Sequence, residues 1–125
     1  MTTDLRELAT EDFCYMTTRG RISGRPHTIE IWFALRGDTL YMLSGGLDRA
    51  DWVRNSRSQP RVTVRIKDSV FQGLARSVRD AEEDAVARQL IAAKYPSTDE
   101  EDLTDWYRDA LPVAVDLEVE EAEPS

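Results

Sequence analysis

Only Arg36-Gly37-Asp38 stands between two strand-like runs, His27-Thr-Ile-Glu-Ile-Trp-Phe-Ala-Leu35 and Thr39-Leu-Tyr-Met-Leu-Ser44. A crossover between parallel strands needs about a dozen residues or more, so three residues force an antiparallel hairpin. The same constraint recurs downstream. Arg61-Val-Thr-Val-Arg-Ile66 alternates strictly, Val62, Val64 and Ile66 inward and Arg61, Thr63 and Arg65 outward, and Lys67-Asp-Ser69 turns it into a run from Val70 to Val78. Upstream, Phe13 to Thr18 is rich in aromatic and β-branched residues, and the turn-forming stretch Arg19 to Pro26 joins it to the His27 run. The first three strands therefore predict an antiparallel meander, with Ile29 and Ile31 on one face of the second strand and Thr28, Glu30 and Trp32 on the other.

Helices are expected at a few places. Leu5, Leu8 and Ala9 predict a short helix over Asp4–Asp12, and Asp48 is placed to cap one through Ala50, Trp52, Val53 and Asn55. From Asp80 the period changes to that of a helix ending at Tyr95-Pro96, and Leu103, Trp106 and Tyr107 share a helical face within Thr98–Asp109. Val113 to Val119 alternates as a sixth and last strand. The expected fold is α+β, a closed or nearly closed antiparallel barrel with flanking helices. At 125 residues the chain makes one domain. It divides into an N-terminal helix (1–12), a barrel (13–119) and an acidic tail (120–125).

Composition narrows the chemistry. With Cys14 and His27 each alone of their kind, a disulfide within the chain or a multi-cysteine zinc site is excluded. Any metal would rest on carboxylates, and none is expected. No run approaches the roughly 18 apolar residues of a membrane span. The polar N-terminus has no signal-peptide block, and the expected location is cytoplasmic. The net charge of −8 is uneven: residues 1–79 hold 13 Lys and Arg against 9 Asp and Glu, residues 80–125 hold 3 against 15. A basic middle in an acidic chain suggests an anionic small ligand there, and the overall charge argues against nucleic acid.

There is no Gly-Lys-Ser/Thr phosphate loop, no G-x-G-x-x-G after a strand and no G-x-S-x-G elbow. A Cys14–His27 pair is formally available, but no third group is indicated, so reactivity would have to come from a bound cofactor. The informative segment is Thr17-Thr-Arg-Gly-Arg-Ile-Ser-Gly-Arg-Pro-His27. Its glycines permit close backbone approach, and its hydroxyls and arginines suit a phosphate. On the residues alone it reads equally as an ordinary hairpin turn with solvated arginines. Gly45-Gly46-Leu-Asp-Arg-Ala-Asp-Trp52 is a second candidate, a glycine pair leading into a helix N-terminus, with Asp48 and Asp51 competing for its positive end.

Residues 17–26 resemble the Thr-Thr-x-Gly-Arg-x-[Ser/Thr]-Gly-x-Pro signature of the deazaflavin-dependent nitroreductase family, within the flavin/deazaflavin oxidoreductases. The similarity continues through Ser44-Gly-Gly46, Trp52-x-x-Asn55, Gln59-Pro-Arg-Val-Thr-Val64, Lys94-Tyr-Pro-Ser97, Trp106 and Leu111-Pro-Val-Ala-Val115. It implies a split β-barrel of the FMN-binding type and the deazaflavin coenzyme F420 (F-420). The implied activity is hydride transfer to a small electrophilic acceptor such as an enone, quinone or nitro compound. By position it implies Arg21, Ser23, His27, Ser44, Gly45, Gly46, Trp52 and Asn55 as cofactor-binding residues, with Trp32 and Tyr95 on the substrate side. A homodimer is implied by the same route. The chain lacks the basic residue that often follows the serine of the Ser44 loop, has histidine where arginine is common at His27, and replaces the tyrosines expected after Ser97 with Thr98-Asp-Glu-Glu-Asp102. FMN in the same fold, or a non-enzymatic carrier of a deazaflavin, haem or fatty-acid-like ligand, are the alternatives.

Overall fold

The computed structural model describes residues 5–118, so expectations for residues 1–4 and 119–125 lie outside the described residues. Strands β1 (Cys14–Arg19), β2 (Pro26–Ile31), β3 (Ala34–Arg36), β4 (Thr39–Ser44), β5 (Arg61–Ile66), β6 (Ser69–Ser77) and β7 (Leu111–Leu117) form one sheet. All neighbours are antiparallel, in the order β2-β1-β5-β6-β7-β4-β3. The helices are α1 (Leu5–Leu8), α2 (Asp51–Ser58), α3 (Ala81–Lys94) and α4 (Thr104–Asp109), with a 3-10 turn at Leu47–Arg49 before α2.

The predicted strand over 27–35 is two strands, and they lie at opposite edges of the sheet. This overturns the expected meander: β2 pairs with β1 and β3 with β4, and nothing pairs across Trp32-Phe33. The reason is local. Phe33 and Ala34 are both buried in succession, which a flat strand with alternating faces cannot do. Two residues bridge the edges, so the Cα atoms of Ile31 and Ala34 are within about 11 Å of each other and the sheet must curl on itself.

Inside the curl, β5 buries Val62, Val64 and Ile66 as its alternation predicts, against Met16, Phe33, Leu40, Met42 and Val115. Val53 of α2 and Leu5 and Leu8 of α1 join the same core. β4 is buried from Leu40 to Ser44 because its outer face is covered too: Ala87 of α3 packs on Tyr41 and Ala114, and Ile91 on Leu43 and Ala34. Asp80 caps α3 by accepting from the Glu83 N–H at 2.9 Å. Glu83 then accepts from the Tyr41 hydroxyl (2.7 Å) and both terminal nitrogens of Arg76, holding its carboxyl down at about 2, while Arg76 also grips Asp116.

Other expectations need correction. α1 is a single turn, and Asp48 caps nothing: the 3-10 turn shifts the start of α2 to Asp51, behind Ala50, which offers no side-chain cap. Only Thr104–Asp109 of the acidic stretch is helical. Ser97, Thr98 and Asp102 side chains accept from nearby backbone N–H groups and hold the preceding residues in turns. β7 starts two residues earlier than predicted, Leu111 and Pro112 extending past the last β6 partner at Val113.

Gly73 faces the interior of β6, where a Cβ would stand 2.6 Å from Val115 Cγ1 and 3.0 Å from the Asp116 carbonyl oxygen. Val115 is fully buried and has nowhere to move. Gly73→Ala is expected to cost about 1–3 kcal/mol in urea unfolding, and an unchanged midpoint would show that the β6–β7 contact is not tight.

Candidate functional site

The β1–β2 loop closes through Gly20 N–H to the Arg25 carbonyl (2.8 Å) and Gly24 N–H to the Gly20 carbonyl (2.9 Å). A Cβ on Gly20 would lie 2.7 Å from Ser23 Oγ and 2.8 Å from His27 Nε2, so glycine here lets the hydroxyl and the imidazole fold over the backbone. Opposite the loop stands α2. Its Asn55 is 3% exposed; Oδ1 accepts from the Arg21 backbone N–H (3.2 Å) and guanidinium (2.8 Å), and Nδ2 donates to Thr18 Oγ1 (3.3 Å). Arg21 also pairs with exposed Asp51 at 3.2 Å. Two of its five N–H donors are thus used to orient it, and the rest are free for a ligand.

Between loop and helix lies a cleft of about 430 Å³, in the size range of small-molecule sites. Arg21, Ser23, His27, Trp52 and Asn55 all line it, with Ile22, Ile29 and Asp51 among their neighbours. Five residues named from the sequence therefore converge, although Arg21 and Asn55 are 34 positions apart. Asp51, expected to compete for the positive end of the helix, pairs with Arg21.

The other five named residues gather elsewhere. Trp32 stacks on Tyr95 with ring centroids 4.3 Å apart and planes 5° from parallel, and the edge of Trp106 approaches at 5.7 Å. Trp32 remains 37% exposed. Gly45 abuts this cluster, its Cβ direction meeting Trp106 at 3.7 Å. Ser44 is buried and donates to the Leu47 carbonyl at 2.9 Å, and Gly46 opens the 3-10 turn. The segment 44–51 thus runs from the aromatic cluster to the cleft. Tyr95 donates to the Asp12 carbonyl (2.6 Å) and accepts from Phe33 N–H (3.2 Å); burial pushes its phenol up to about 12. Its ring supports Trp32 while its hydroxyl is engaged by backbone.

Cys14 and His27 do not meet. Cys14 pairs with Ile31 and His27 with Thr18, at opposite ends of the β1–β2 ladder and about 13 Å apart along it. Cys14 is fully buried and its thiol is pushed up to about 12. Sequence reasoning named Lys94 only as part of a motif and gave it no role; it donates to the Phe33 carbonyl at 2.9 Å and lies 3.6 Å from the centre of the Phe33 ring. A cation in the last turn of an otherwise apolar helix end was the available signal.

A family model described as F420H(2)-dependent quinone reductase matches residues 3–118. The chain belongs to that family. It is an F420-dependent oxidoreductase, in agreement with the deazaflavin resemblance. Among solved structures it is similar to an F420-H2 dependent reductase (TM-score 0.66, 23% identity, covering 86% of this chain and 94% of that one). It is also similar to the heme storage protein HutZ of Vibrio cholerae (TM-score 0.69, 17% identity, 94% and 89%). A third is described as a domain-swapped dimer (TM-score 0.67, 23% identity, 86% and 80%). These likenesses bear out the split-barrel fold. The cleft suits the family's coenzyme: an oriented guanidinium, a hydroxyl and an imidazole for acidic groups, an indole and two isoleucines for apolar surface.

Burial lowers Lys94 from 10.5 to about 8. Between those values the unfolded chain carries the proton and the folded chain does not, so this group adds stability as pH rises. Relative to Lys94→Met, the protein is expected to gain stability from about pH 8 towards 10.5 in urea unfolding. A pH-independent difference would contradict a desolvated ammonium at this position.

Proposed function

We propose that the chain takes a hydride from reduced F420, bound in part between the β1–β2 loop and α2, and delivers it to a quinone on the Trp32 side. The observation that carries this reading is the convergence of Arg21, Ser23, His27, Trp52 and Asn55 on one cleft. Bound reduced F420 supplies the hydride, and a proton completes the conversion of quinone to hydroquinone. Arg21, held by Asn55, binds the acidic part of the coenzyme, with Ser23 and His27 as further donors. Trp52 covers apolar ring surface and helps exclude water. Ser44, Gly45 and Gly46 line the passage between cleft and aromatic cluster. Trp32, backed by Tyr95, offers a flat wall for a planar acceptor. Residues 13–119 form the coenzyme-binding unit.

A second reading keeps the cleft and exchanges the ligand for FMN. It is favoured by the single guanidinium directed at the α2 wall, partly neutralised by Asp51, which matches one phosphate. We also place a homodimer on the outer face of β2-β1-β5-β6, where Val70 (59%) and Leu74 (47%) are exposed; the relative described as a domain-swapped dimer supports pairing.

Titration of the protein with F420 and separately with FMN, followed by fluorescence, discriminates the readings. F420 is expected to bind more tightly, with Arg21→Ala weakening it at least tenfold, or about 1.4 kcal/mol, and slowing oxidation of F420H2 by menadione. Preference for FMN would move the chemistry to flavin. Unchanged F420 affinity in Arg21→Ala would remove Arg21 from the site.

A further inference from the structure

A second cavity, about 660 Å³, opens between α2 and the adjoining ends of β6 and β7. It is separate from the candidate cleft. α2 faces the cleft with Asp51, Trp52 and Asn55 but this cavity with Val53, Ser56 and Arg57, and at about 100° per residue these sets lie on nearly opposite sides of the helix.

Its chemistry is two-sided. The floor is apolar, with Val53 and Val113 buried and Leu111 half-buried. The remaining lining includes Arg57, Arg76 and Arg79. Among the described residues no carboxylate lines it, which is uneven for a chain of net charge −8. Arg76 is spent on Glu83 and Asp116. Arg57 makes only a loose, exposed contact with Asp48 at 3.9 Å, and Arg79 makes no ion pair among the described residues. Two guanidinium groups are thus left to a ligand. Pro60 and Pro112 also line the cavity and contribute no N–H. A phosphate-rich ligand would waste the apolar floor, and a neutral apolar ligand would leave the guanidinium groups unanswered.

We propose that this cavity binds an amphipathic monoanion, a carboxylate carried on an aromatic or branched apolar body, with Arg57 and Arg79 on the carboxylate and Val53, Leu111 and Val113 under the body. The proposal is independent of the coenzyme reading, because the site lies on the other side of α2.

Calorimetric titration with 1-naphthoate and its neutral counterpart 1-naphthamide tests it. The wild-type protein is expected to bind naphthoate saturably and at least tenfold more tightly than naphthamide. Arg57→Ala/Arg79→Ala, exposed positions that leave the core intact, should weaken naphthoate at least tenfold. Ser77→Trp, which fills the cavity from its rim, should do the same by a different route. Arg21→Ala should leave naphthoate binding unchanged. Absence of saturable binding, equal affinity for the neutral probe, or naphthoate affinity unmoved by either cavity variant would overturn the proposal. Loss of binding in Arg21→Ala would overturn it by placing the probe in the other cleft.

Discussion

The peptide groups of Phe33 lie between two strands at opposite edges of one sheet, and both are answered by the end of α3. Tyr95 Oη accepts from the Phe33 N–H and Lys94 Nζ donates to its carbonyl. A buried backbone group left without a partner costs about 1–3 kcal/mol, so these contacts let the chain leave β2 and re-enter the sheet as β3. The curl of the sheet follows, because a two-residue bridge cannot span a flat seven-stranded sheet whose neighbouring strands lie about 4.8 Å apart. The Tyr95 hydroxyl reaches on to the Asp12 carbonyl, which ties α1's exit to the same point.

Both halves of the candidate site depend on that closure. Trp32 is one of the two bridging residues, and its ring is held flat against Tyr95 from the helix that pins the bridge. On the other side, β2 carries His27 and Ile29 towards α2, and Asn55 of α2 ties the turn at Arg21 to Thr18 of β1. Asn55 therefore acts on the loop's backbone and on the arginine's direction together. Asp51 holds the far end of the guanidinium and reduces its net charge, which makes Arg21 a directional donor more than a source of long-range attraction.

How legible this was depends on where the information sits. The β5 alternation, the tight hairpin turns and the change to a helical period after Asp80 are written within a few residues, and each stands as read. The break at Trp32-Phe33 is not, because Ile-Trp-Phe-Ala-Leu is apolar throughout and its partners lie more than sixty positions away, at Lys94 and Tyr95. Asp48 had the right chemistry for a cap, but Leu47, at φ 57, leads into a 3-10 turn that displaces the helix start. For the site, the family motif named eight residues together, and five of them, Arg21, Ser23, His27, Trp52 and Asn55, line one cleft. It gave no sign that Ser44, Gly45 and Gly46 turn towards Trp106, or that the phenol of Tyr95 is occupied by backbone.

The central claim is that the coenzyme enters between the β1–β2 loop and α2. Backbone amide shifts of labelled protein titrated with F420 test it most directly. The account predicts saturable shifts concentrated at residues 20–27 and 51–55, with smaller ones at 44–46. Shifts confined to Arg57 and residues 77–79, or saturable binding with none in the loop or α2, would contradict it.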